Sequence, residues 1–501
     1  MKAGASALLL VMAACLMGPA WANEGAADES MAGQERVARL KAAVEAQQQR
    51  VDALEAELTA ARGAEQEGLR ADAMRQQIRE VLSEQEFRES LMPSMLQAGY
   101  DKGFFIRSSD DNFFMKITGR IQFRWTHYGT SSRNLYARPR LERDDRTGFD
   151  LQRIRLGLSG HLYSKDLTYL LEFRSDSGEG YDTQVRYAWV NYRWADELQV
   201  RLGIFKLAGT RQQMMSSGSF QFVDRCMTDA VFSLGTGLGV RFWGQLLDKR
   251  VDWYIDVVNS FNDFRGRTIV PDGARELDNN PALVGHIIWH ALGDQPGDLM
   301  KSESDVAFHE SPALDLGVHY AFNEDEGDAT TLNIPFRRAS LLPGAYGVTT
   351  SNGMQINQLG ADIAFQWQGF SATLEYMARF LDPRRANRAP FTPYTLLTGD
   401  GDDSCYHGGY LQMGYFLPLP GTLEKKIELV GRVGGVADIG PGSEGSWEYA
   451  GGLNYFIKGH NVKLQTDVTK IYEAPVRTSS GSIANVNDDA LVWRVQLQVQ
   501  L

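Results

Sequence analysis

From about residue 113 to its end the chain alternates apolar and polar positions with a period of two, the pattern of strands with one apolar face. In residues 115–126 the odd positions are apolar or glycine, while Lys116, Thr118, Arg120, Gln122, Arg124 and Thr126 fill the even ones. The alternation returns at Leu156 and Leu158 against Arg153, Arg155 and Ser159, and at Leu359, Ala361, Ile363, Phe365 and Trp367 against Gln358, Asp362 and Gln366. It ends with Leu491, Trp493, Val495, Leu497, Val499 and Leu501 against Arg494, Gln496, Gln498 and Gln500. Counted through, about sixteen such segments are separated by Gly, Asp, Asn and Pro clusters, which is the mark of a transmembrane β-barrel. A soluble sandwich or propeller is disfavoured because several segments reach the about 9–11 residues that cross a bilayer at a tilt. Trp125, Tyr128, Tyr192, Trp194 and Trp243 also fall near segment ends, where aromatic rings meet lipid headgroups.

A barrel in hydrocarbon has to close, since every unpaired backbone group there costs several kcal/mol. The segment ending at Leu501 is therefore expected to pair with the first, near residues 113–125. The polar face of the first six segments carries Lys116, Arg120, Arg124, Arg153, Arg155, Arg174, Arg201 and Arg241, opposed mainly by Glu172 and Asp176. Arg186 and Arg193 are left without a face, because the alternation slips between Val185 and Trp194. A basic wall facing a lumen favours anions, and the planar arginine fork suits phosphate. Residues 206–236 form the longest early connection, between the fifth and sixth segments, and connections this long are usually functional. Folded inward, its Met214, Met215, Phe220 and Phe222 would anchor it to the wall, leaving Lys206, Arg211 and Arg225 to meet a solute.

Before the barrel the periodicity is helical. Val37, Val44, Val51 and Leu58 recur every seven residues beside Leu40, Gln47, Leu54 and Ala61, predicting a coiled coil over residues 34–61. A second helical stretch covers 69–91 and ends at Pro93. The one long apolar run, residues 5–17 after Lys2, is too short to span and reads as a signal peptide cleaved after Ala22. Lipidation at Cys15 is the alternative. The expected organisation is a signal peptide over 1–22, a periplasmic helical segment over 23–98 and an outer-membrane barrel over 99–501.

Composition narrows the function classes. A net charge of -12 argues against a nucleic-acid binder, and the acidic excess is assigned to the helical segment, turns and loops rather than to the strands. Cys226 and Cys405 are the two cysteines left after export, and neither stands in a metal-ligand spacing. His286 and His290 share a strand face but sit too far apart for one metal. No GxSxG, HExxH or phosphate-binding glycine loop is present, so neither an enzyme nor a cofactor or metal site is expected.

Several runs together resemble the phosphate-selective porin O/P family. They are Gly99-Tyr100-Asp101-Lys102-Gly103-Phe104-Phe105-Ile106, Gly119-Arg120-Ile121-Gln122, residues 149–156, residues 200–206, Phe222-Val223-Asp224-Arg225 and Gly237-Leu238-Gly239-Val240. The resemblance implies a sixteen-stranded, usually trimeric outer-membrane channel with an inward-folded loop. Asp224 stands where Glu is more usual and Cys226 where a small hydroxyl residue is common, pointing to broad anion preference rather than strict phosphate selectivity. The expected function is passive diffusion of small anionic or hydrophilic solutes through a homo-trimer in outer-membrane lipid. The competing reading is a structural anchor whose coiled coil contacts the cell wall.

Overall fold

The computed structural model describes residues 47, 49–50, 96–100, 103–130, 145–176, 181–261, 280–325, 354–383, 404–438, 445–475 and 489–501. The predicted signal peptide, Cys15, the second helical stretch and the heptad positions Val37, Leu40, Val44, Val51, Leu54, Leu58 and Ala61 lie outside the described residues. The chain divides into two units, Met1–Pro93 and Ser94–Leu501, and the second holds all the strands named below.

A short hairpin, β1 (Gln97–Tyr100) and β2 (Phe104–Arg107), comes first. Then follow β3 (Phe113–Thr130), β4 (Arg146–Leu162), β5 (Ser164–Ser175), β6 (Gln184–Ala195), β7 (Leu198–Lys206), β8 (Thr236–Leu246), β9 (Val251–Val258) and β10 (Ala282–Leu292). The second half comprises β11 (Ala313–Asp325), β12 (Met354–Trp367), β13 (Phe370–Pro383), β14 (Ser404–Phe416), β15 (Ile427–Asp438), β16 (Ser446–Lys458), β17 (Val462–Tyr472) and β18 (Ala490–Gln500). From β3 onward each strand pairs antiparallel with the next, and β18 returns to β3 from Ala490↔Thr130 to Gln500↔Arg120. The result is a closed antiparallel barrel of 16 strands, with the closure at the pair expected from the sequence. Beyond the end of β18, β2 takes over the same edge of β3, from Phe104↔Ile117 to Arg107↔Phe114.

The two faces of the wall invert the arrangement of a soluble protein. On β12, Leu359 is 52% exposed while its neighbour Gln358 is fully buried. On β18, Leu491, Trp493, Leu497 and Val499 are exposed while Arg494, Gln496 and Gln498 are buried. Large apolar side chains outside and satisfied polar ones inside fit a bilayer around the wall. Tyr163, Trp194, Trp289, Trp367 and Tyr415 project outward near the short-turn end, and Phe149, Trp447, Tyr472 and Trp493 near the other, as two aromatic girdles. Leu359→Arg, near mid-strand on the lipid face, is expected to lower barrel stability by about 2–4 kcal/mol. Equilibrium unfolding in lipid vesicles measures this, and a loss close to zero would remove Leu359 from the hydrocarbon.

Two sequence expectations change at β-bulges and at the rim. The slip around Val185 is a bulge: Glu172 pairs with Tyr187 and Phe173 with Val185, so Arg186 is passed over and faces inward, bonded to Glu172. Arg193 stays at the exposed rim, paired with Asp166 and Asp196. Trp243 does not join a girdle; its indole N–H donates to Asn191 Oδ1 at 2.7 Å on the inner face.

Candidate functional site: the narrowed lumen

Residues 207–235 leave β7 and cross the interior. Thr210 caps the short helix α1 (Arg211–Met214), its hydroxyl accepting from Gln213 N. Cys226 caps α2 (Met227–Phe232) through its sulfur, and burial raises that thiol well above its usual pKa, keeping it protonated. Met215, Phe220 and Phe222 are buried and Met214 packs partly against the core, as the anchoring reading expects.

A segment inside a barrel lacks a sheet ladder for its backbone N–H groups, so other acceptors have to serve. Here they are carboxylates of the far wall. Asp256 on β9 accepts from Ala208 N at 2.9 Å, Glu375 on β13 from Arg211 N at 2.7 Å, Asp467 on β17 from Val223 N at 2.9 Å, and Glu448 on β16 from Met227 N at 2.5 Å. Glu428 on β15 takes the Gln221 amide at 2.7 Å. Arg211 completes the seam, its two terminal nitrogens 2.8 Å from Asp315 on β11 and Asp362 on β12. Burial works against that charge, but Asp362 and Asp315 more than offset it, so Arg211 holds its proton more firmly than an ordinary arginine. The acidic excess is therefore not confined to helix, turns and loops: inward carboxylates of β9–β17 form the surface on which the loop docks.

The predicted cations divide into sealed and accessible groups. Arg211, expected to meet solute, is 1% exposed within that seam. Arg124 is equally buried and, with Arg153, bonds Asp224 of the loop at 3.4 and 2.9 Å. Arg155 is paired with Asp176, and Arg241 with Asp256 at 2.6 Å. Arg201 is half-buried between Trp189 and Trp243, 4.0 and 5.3 Å from their ring centres. Lys116 is half-buried near the end of β3 that β2 covers. Arg120 bonds Ser216, Ser217 and Gln500, and Lys206 donates to the carbonyls of Met214 and Met215, which end α1.

What keeps contact with solvent is concentrated on one side. Side chains of Arg174, Arg186 and Arg225 are 26%, 17% and 27% exposed, with Glu172 and Asp176 among them. The docking carboxylates of the far wall are all nearly sealed. Arg120 lies close enough to Arg153, Arg155 and Arg186 for their like charges to act on it. Among the described residues the loop thus covers the inward carboxylates of β9–β17, while Arg174, Arg186 and Arg225 keep partial exposure beside Glu172 and Asp176.

Residues 127–253 match the family model of phosphate-selective porin O and P. The match spans β4 to β8 and the inward loop, and with the closed barrel it supports an outer-membrane channel. In structure the chain is similar to OmpT of Vibrio cholerae, at 10% identity and a TM-score of 0.47 over 77% of this chain and 98% of that one. It is also similar to an anion-selective porin from Comamonas acidovorans, at 8% identity and TM-score 0.45, covering 77% and 99%. A third is the channel DcaP of Acinetobacter baumannii, at 9% identity and TM-score 0.44, covering 77% and 96%. None of the curated proteins compared matches the sequence. Cys226 and Cys405 are thiols rather than a disulfide. His286 and His290 face the seam, His290 bonding Asp315 at 2.7 Å, and among the described residues no group of ligands is arranged to hold a metal.

Proposed function

We propose that this channel is anion-preferring and passes small anionic and hydrophilic solutes by diffusion, phosphate and polyphosphate among them. It works in this reading as a homo-trimer, with residues 23–98 as a helical periplasmic segment after removal of 1–22. The observation that carries the reading is the unequal access of charge inside the barrel. Arg174, Arg186 and Arg225 keep water contact beside only Glu172 and Asp176 among the described residues of that side, whereas Asp315, Asp362, Glu375, Glu428, Glu448 and Asp467 are spent on the loop. Selectivity follows the charges an ion meets, and a charge sealed in a local pair contributes little field along the path.

The test is the zero-current potential of purified protein in planar bilayers under a salt gradient. Wild type is expected to show the sign of anion preference. Arg186→Gln combined with Arg225→Gln removes two accessible cations and leaves Glu172 and Asp229 without those partners, so the potential should move toward cation preference. An unchanged potential in a folded double variant would defeat the reading.

A further inference from the structure

The loop 207–235 is met inside the barrel by a second segment from the opposite end. Residues 293–312 join β10 to β11 on the side where Tyr163 alone joins β4 to β5 and Gln368-Gly369 join β12 to β13. Gly297, in the left-handed region at φ 83°, starts a turn at Asp298–Met300, and after the exposed Lys301 the four residues 302–305 enter the lumen. Ser302, Glu303, Ser304 and Asp305 are all buried. Two carboxylates and two hydroxyls in succession are buried only where partners await them.

Those partners lie on both the wall and the loop. Glu303 Oε1 accepts from Gln212 Nε2 at 2.9 Å, and Oε2 accepts from Gln221 N at 2.8 Å and Gln412 Nε2 at 2.9 Å. Its own N–H donates to Ser219 O at 3.2 Å. Gln212 in turn accepts from Cys226 N at 2.8 Å, so one carboxylate ties together both arms of the loop and strand β14. The segment has separate moorings: Ser304 Oγ donates to Glu428 at 2.9 Å, Gln366 donates to the Ser302 carbonyl at 2.8 Å, and Asp305 accepts from Gly369 N at 2.7 Å. These hold it in place without Glu303.

We propose that residues 298–309 are a second constriction element, and that Glu303 is the positioning residue that keeps the loop 207–235 pressed on the far wall. The width of the passage is then set by two interlocked segments entering from opposite ends. This rests on the channel reading above.

The experiment compares wild type, Glu303→Ala and Glu303→Asp by single-channel conductance and by vesicle swelling with uncharged sugars of graded size. Folding is checked by the heat-dependent gel shift of the closed barrel. Glu303→Ala is expected to raise conductance about twofold and admit larger sugars, because the loop loses its central tie. Glu303→Asp keeps the charge on a shorter arm and should fall between the two. Wild-type conductance and size limit in folded Glu303→Ala would overturn the proposal. If that variant does not fold, Glu303→Gln takes its place: its amide offers one acceptor oxygen to three donors, so a wider or flickering pore is expected, and a wild-type trace overturns the proposal equally. Absence of any conductance from wild type would defeat the channel reading itself, a separate outcome.

Discussion

Arg211→Ala should cost about 3–5 kcal/mol of barrel stability, the range for removing one member of a buried ion pair. The guanidinium is 1% exposed and holds Asp315 and Asp362, each at 2.8 Å. Removing it leaves two carboxylates inside a protein wall, and only part of that penalty is recovered. Asp315 retains His290 at 2.7 Å, whereas the nearest other partner of Asp362, His286, is 3.7 Å away. Arg211 begins the loop's first helix, so its loss should also loosen the loop and make single-channel current noisier. Unfolding in vesicles together with channel recording measures both effects. Arg211→Lys keeps the charge but cannot span two carboxylates with a planar fork, and should recover only part of the loss. A stability change below about 1 kcal/mol, with an altered zero-current potential instead, would return Arg211 to the solute path and reject the docking seam.

The difference between Arg211 as expected and Arg211 as placed marks the limit of what a local pattern carries. Period-two alternation made the barrel legible: the outward residues of β12 and β18, the strand number and the β18–β3 closure all follow from which positions are apolar. The inward direction of Lys116, Arg120, Arg124, Arg153 and Arg155 was equally legible. Exposure was not, because it depends on what the loop brings. Arg153 is sealed by Asp224, 71 residues on, and Arg211 by carboxylates 104 and 151 residues on. Bulges defeat alternation for a simpler reason, since passing over Arg186 puts it on the same face as Tyr187. Residues 293–312 carried a signal in their length, which no tight turn needs. Nothing local said that the excess would point inward.

The same dependence on distant partners yields the opposite shift in selectivity at Asp224. Asp224→Ala removes the carboxylate shared by Arg124, at 3.4 Å, and Arg153, at 2.9 Å. Both arginines keep other acceptors: Arg124 has the Val223 carbonyl at 3.3 Å and Gln496 at 3.2 Å, and Arg153 has Gln122 at 2.9 Å. The stability cost should therefore fall near the lower end of about 3–5 kcal/mol. Selectivity should move further, because two cations formerly neutralised within the protein now act on the passage bordered by Arg174, Arg186 and Arg225. Anion preference is expected to rise above wild type, where the Arg186→Gln and Arg225→Gln pair lowers it, and Asp224→Glu should restore the wild-type value by reaching the same two groups. The measurement is again the zero-current potential under a salt gradient, read on folded protein. A fall in anion preference for Asp224→Ala would mean that Arg124 and Arg153 help conduction only while paired, and that the sealed cations, rather than the exposed ones, form the anion path.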